Sequence, residues 1–149
     1  MARDAATTGF DDSAKPAELA ISLTASDVMN TEFVSVPADA TVFAAFESLT
    51  QHHVHHLPVV QADGRCVALL DATEVAARMH DAGLHGGSTL LKPDGAVGPL
   101  WVSPQTPLRR VAAEMTAANA DACCVVDPHG RMLGLLTARD FIAAFARCT

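Results

Sequence analysis

Four histidines within five positions, His52, His53, His55 and His56 of QHHVHHLPVV, form the densest cluster of chemically capable side chains in the sequence. Imidazole nitrogens bind zinc, and Cys123 or Cys124 could add a thiolate. Such a site needs three or four ligands converging at about 2 Å and a fixed set of hydrogen bonds behind them. HHxHH does not supply that convergence, because neighbouring side chains diverge around a helix and alternate across a strand. His52 and His53 are expected to face solvent in the last turn of a helix, where positive charge is favoured; a metal site is the minor alternative. Cys66, Cys123, Cys124 and Cys148 show no CxxC spacing and are expected to be reduced thiols, the buried ones acting as core fillers. Gly86-Gly87-Ser88 invites comparison with a phosphate loop, yet no GxxxxGK[ST] is present and no strand leads into it.

The elements that must hold these groups come from an internal duplication. The segment starting at Val34 lies over the segment starting at Leu100 without a gap, at a constant offset of 66. Val59-Val60 meets Val125-Val126, Gly64-Arg65 meets Gly130-Arg131, and Leu69-Leu70-Asp71-Ala72 meets Leu135-Leu136-Thr137-Ala138. Each unit begins with a short apolar start (Val34 to Val36; Leu100 to Val102). A helix follows, with apolar residues at 42, 46 and 49, matched by 108, 112 and 115. Leu57 to Val60 and Cys123 to Val126 read as strands, each followed by a turn whose Gly can take positive φ. A second strand (Cys66 to Leu70; Met132 to Leu136) then feeds a final helix (Thr73 to His80; Ala138 to Ala146). The fold class is therefore mixed α/β (α+β), a β-α-β-β-α unit used twice.

The expected division is a flexible lead-in over residues 1–22, repeat 1 over 23–82, a linker over 83–96 and repeat 2 over 97–149. The connecting stretch DAGLHGGSTLLKPDGAVGP holds five glycines and two prolines, which suits a surface connection. At 149 residues the chain suits one core shared by two small repeats. Half of its residues are hydrophobic and only 18% are charged, so most of it should fold. A net charge of -7 without a Lys/Arg cluster argues against nucleic-acid binding. No stretch resembles a secretory leader or a membrane span, so a cytoplasmic location is expected. Trp101 and Phe43, Phe46, Phe141 and Phe145 read as core or dimer-face residues.

The repeated LPVV…DG…strand…TxxD pattern, best seen in HHLPVVQADGR and VVDPHGRMLGLLTARD, resembles a tandem pair of cystathionine-beta-synthase-type (CBS) domains, a Bateman module. The resemblance spans residues 26 to 147. It implies two repeats related by a pseudo-twofold axis with their sheets packed together, a homodimer, an unidentified protein partner, no cofactor and no catalysis by the module. It also implies an adenosine-containing ligand (AMP, ADP, ATP, S-adenosylmethionine or NAD) in a cleft between repeats, with occupancy signalled as a conformational change.

In the family motif G-h-h-[ST]-x-x-[DN], the hydroxyl lies near ribose or phosphate and the carboxylate accepts from the ribose hydroxyls, as two carboxylate oxygens suit a vicinal diol. GLLTARD, residues 134 to 140, matches in full, with Gly134 allowing close backbone approach. By this resemblance the competent cleft joins Leu135, Thr137 and Asp140 to Met29, Asn30, Thr31, Val34, Val54, His55 and His56, with Arg139 and Asp121 at its edge. Repeat 1 departs from the motif, with Ala68, Asp71 and Glu74 in the corresponding places. Its cleft, joining Asp71 and Glu74 to Val97 to Leu100 and Ala120 to Ala122, should repel phosphate by about a few kcal/mol at an effective dielectric of about 20. One nucleotide site per chain is expected. The bland reading of Thr137 and Asp140 is a helix cap, and Asp71 is expected to be such a cap. The competing readings are a ligand-free dimerisation scaffold and a zinc-dependent hydrolase.

Overall fold

The computed structural model describes residues 22–91 and 99–147. Nearly all of the lead-in, the stretch 92–98 that includes Val97, and Cys148 lie outside the described residues. Repeat 1 contains β1 (Val36–Pro37), helix α2 (Val42–His52), β2 (His56–Val60), β3 (Cys66–Asp71) and α3 (Ala72–Ala82), preceded by a short helix α1 (Ala25–Val28). Repeat 2 contains β4 (Trp101–Val102), α4 (Leu108–Ala118), β5 (Ala122–Val126), β6 (Met132–Thr137) and α5 (Ala138–Arg147). Each forms a three-stranded sheet, with the first strand parallel to the second and the second antiparallel to the third. The register slips at Val59/Val60 and again at Val125/Val126, so the duplication reproduces even the bulge. Gly64 (φ 91°) and Gly130 (φ 83°) supply the positive φ that the hairpins between these strands require.

The inward face of α2 is Val42, Ala45 and Leu49, and that of α4 is Leu108, Val111 and Met115. Position 45 rather than 46 meets the sheet, and Phe46 stays 36% exposed. Both residues fit a helical period, and α4 shows the same displacement by one: Val111 rather than the expected 112 meets the sheet. Phe43, Trp101 and Phe145 are also exposed, whereas Phe141 packs partly buried against the repeat 2 core. His53 is not helical. It caps α2 in the left-handed conformation (φ 54°), the place Asn119 takes after α4 (φ 52°).

The repeats exchange their lead-in segments. Leu23, Ala25, Val28 and Met29, assigned to repeat 1 by chain order, pack against the core of repeat 2. The Leu108 N–H donates to the Leu23 carbonyl at 2.9 Å, and the Ala25 N–H donates to that of Thr106 at 2.9 Å. The same bonds recur 66 residues apart, from Val42 to Thr89 at 2.9 Å and from Leu91 to Ala40 at 2.8 Å. Leu91 is fully buried in the core of repeat 1. The stretch expected to be a surface linker therefore contributes a core residue, and the pseudo-symmetry extends into it. A similar backbone pairing joins Asn30 to Leu135 in both directions, at 2.8 and 2.9 Å, and pins the end of the lead-in beside β6.

Candidate functional site

One cleft, of about 300 Å³, opens where the two repeats meet beside Asn30 and Leu135. Repeat 1 and its lead-in supply Asn30, Glu32, Phe33, Val34, Val54, His55 and His56; repeat 2 supplies Asp121, Leu135, Thr137, Ala138, Arg139 and Asp140. Ten of the twelve expected residues thus share one cavity. Thr31 is exposed and does not line it, and Met29 turns instead against the repeat 2 core. Glu32 and Phe33 were not anticipated. They belong to no motif and reach the cleft only because the Asn30–Leu135 pairing holds the chain there.

Thr137 ends β6 and α5 begins at the next residue, so the hydroxyl and carboxylate sit where strand turns into helix. The Asp140 Oδ2 accepts from the Thr137 N–H at 2.8 Å and from the Thr137 hydroxyl at 3.0 Å. These bonds cap the helix. The other oxygen, Oδ1, has no partner among the described residues. Arg139 is exposed at the rim, one residue from the carboxylate.

His55 and Asp121 occupy equivalent places, 66 residues apart, and their carbonyls accept from the Ala72 and Ala138 N–H groups, both at 2.9 Å. His56 pairs in register with Asp71 across β2 and β3. Burial pushes the His56 imidazole below its usual 6.5, against the pull of Asp121 and Asp71 and with a small further push from His55. The cleft therefore favours the neutral form of His56. No cluster of three or more His, Cys, Asp or Glu side chains fit to hold a metal occurs among the described residues.

At Gly134 it is the lead-in that comes close. A Cβ there would lie 2.5 Å from Met29 Sδ and 2.8 Å from its Cγ, so the missing side chain makes room for Met29. Gly134→Ala should destabilise the fold by about 1–3 kcal/mol through overpacking. Denaturant unfolding would show this as a lower midpoint at unchanged slope; an unchanged midpoint would mean that Met29 moves aside freely.

The second cleft, of about 440 Å³, is lined by Ala68, Leu69, Leu70, Glu74, Arg78, Pro99, Leu100, Ala118, Ala120 and Ala122. The expected pair of carboxylates is not found there. Asp71 stays at the helix start, its carboxylate accepting from the Glu74 N–H at 2.7 Å. Asp121 lines the other cleft. Glu74 lies 3.9 Å from the Arg78 guanidinium, which also donates to the Leu91 carbonyl. Repulsion by two carboxylates is therefore not what sets this cleft apart. Its lining holds no Ser or Thr hydroxyl and no Asp, and its one carboxylate, Glu74, lies beside Arg78.

Two β-α-β-β-α units that exchange lead-ins and share clefts at their seam define a paired α/β module. Residues 25–81 and 96–147 match the family model of the CBS domain, and the chain belongs to that family. A CBS domain-containing protein of Dictyostelium discoideum is 23% identical over 128 residues, covering 77% of this chain and 86% of the relative. Among solved structures, CBSX2 in complex with AMP aligns with a TM-score of 0.71 at 22% identity, over 84% of this chain and 97% of that one. The CBS domain of a bacterial CNNM/CorC family Mg²⁺ transporter in complex with ATP aligns with a TM-score of 0.75 at 17% identity, over 88% and 92%.

Proposed function

We propose that this chain is a ligand-sensing CBS pair that binds one adenosine-containing molecule per chain, such as AMP, ADP, ATP, S-adenosylmethionine or NAD. The ligand occupies the cleft holding Thr137 and Asp140. The observation that carries this reading is the free Asp140 Oδ1 in a cleft whose walls come from both repeats. Oδ1 accepts one ribose hydroxyl, and the second is taken at Oδ2 when the Thr137 hydroxyl swings toward the ligand. His55, His56 and Arg139 face the phosphate. A ligand touching both repeats favours one packing of them over another, and that difference is the signal to a protein partner.

The module acts in the cytoplasm as a homodimer and needs no catalysis or cofactor of its own. Phe43, Phe46, Ile142 and Phe145, exposed on α2 and α5, support the dimer. One observation favours a second reading, a ligand-free scaffold: Asp140 is already employed as a cap. Thermal shift separates the two. A sensor gains about 2.7 kcal/mol of stability at a hundred times its dissociation constant. A melting temperature unmoved by all five ligands at millimolar concentration decides for the scaffold.

The depressed His56 gives a pH signature. The unfolded chain protonates this imidazole near 6.5 while the folded one resists, so the unfolded state binds more protons below 6.5. The penalty is absent above 6.5, and the fold loses stability as pH falls toward the lower folded value; His56→Ala removes that slope. A ligand phosphate raises the imidazole's proton affinity, so binding tightens as pH falls from 8 to 5 more steeply in the wild type than in His56→Ala. Parallel binding profiles would remove His56 from the phosphate contact.

A further inference from the structure

Two thiols meet on the seam between the sheets. Cys66 opens β3 and Cys124 lies within β5, both fully buried, with their sulfur atoms 3.1 Å apart. Leu69, Val126 and Met132 surround them. A disulfide has its sulfurs about 2.05 Å apart, so closure needs a movement of about 1 Å. The duplication places Met132 opposite Cys66 and Pro58 opposite Cys124. The equivalent positions therefore carry no thiols, and the pair is not a product of the duplication.

We propose that Cys66 and Cys124 form a reversible disulfide that ties repeat 1 to repeat 2 when hydrogen peroxide oxidises them. The Cys66 thiolate attacks one peroxide oxygen, the O–O bond breaks, and water leaves behind a Cys66 sulfenic acid. The Cys124 sulfur then attacks the sulfenic sulfur, the S–O bond breaks, and the second water departs. Two thiols lose two electrons and two protons, and one peroxide becomes two waters. The hydrogen bond from Cys124 lowers Cys66, making it the sulfur that ionises first. That same bond and burial push Cys124 up, and burial, with Glu114 and Asp140, takes Cys123 to about 12. Because both sulfurs are buried, oxidation proceeds through local opening of the seam. The bond closes a loop spanning 58 residues across both repeats. It forms without any ligand and stands apart from the nucleotide reading.

The test uses the double variant Cys123→Ser/Cys148→Ser, in which Cys66 and Cys124 are the two thiols left. After peroxide treatment and alkylation with iodoacetamide, intact mass should fall by about two units with no alkyl group added, and dithiothreitol should restore two alkylatable thiols. The oxidised protein should melt roughly 5–15 °C higher than the reduced one. Adding Cys66→Ser should abolish both effects. If the double variant folds poorly, oxidised wild-type protein cut after arginine should yield residues 66–78 joined to 111–131, with peptide fragmentation placing the bond on Cys124 and not on Cys123. The proposal is overturned if two thiols remain alkylatable after prolonged oxidation a few degrees below melting, or if the disulfide formed links two chains.

Discussion

Asp140→Ala should weaken binding of the adenosine ligand by roughly 10- to 150-fold. Charge-assisted hydrogen bonds contribute about 1.5–3 kcal/mol each, and about 1.4 kcal/mol is tenfold in affinity. The substitution removes the free Oδ1 and with it the acceptor for a ribose hydroxyl. It also removes the cap on Thr137, which costs about 1 kcal/mol of stability. Asp140→Asn separates the two roles, because an amide oxygen keeps an acceptor at the cap while the negative charge is gone. Asp71→Ala is the control: it loses the bond to the Glu74 N–H and a similar stability but no affinity. Titration calorimetry reads all three, and loss of binding in Asp71→Ala but not in Asp140→Ala would move the site to the other cleft.

Leu136→Ala should be the most damaging single core substitution in repeat 2. Leu136 is fully buried beside Val111, Met115 and Cys123, and such truncations cost about 2–5 kcal/mol. For a chain of this size the melting temperature should drop by roughly 5–20 °C. The exchanged lead-ins make a further demand. Ala25 sits in the repeat 2 core and Leu91 in that of repeat 1, so neither core is complete without chain from beyond its own sheet. Unfolding of the variant should stay a single transition. Two separated transitions, with repeat 1 unaffected, would contradict the shared core.

The fold was legible in the sequence because duplication repeats every signal. Apolar runs, Gly turns and helical periods recur 66 residues apart, and agreement between two copies removes most of the ambiguity of each. The lead-in exchange was missed because glycine and proline between residues 83 and 99 read as surface chain. The signal that finds it is the same offset, which sets Thr89 over Leu23 and Leu91 over Ala25. Positions 45 and 46 on α2, like 111 and 112 on α4, both fit a helical period, and the period alone does not choose between them.

The cleft was legible where a motif or the duplication marked it, as at Thr137, Asp140, His55 and His56. It was not legible at Phe33 and Glu32, which depend on a backbone pairing between distant segments. Nor was it at Arg78, whose bond to the Leu91 carbonyl follows from where the connection lies. His52, His53, His55 and His56 divide as geometry requires. One ends a helix and the next caps it, while the last two face the cleft.

The central claim, that this pair senses an adenosine ligand through one of its two clefts, is tested most directly by the stoichiometry of binding. Titrating the most stabilising of the five ligands into the protein by calorimetry should give one site per chain, retained in Asp71→Ala and lost in Asp140→Ala. Two sites per chain, or no heat with any of the five, would contradict it.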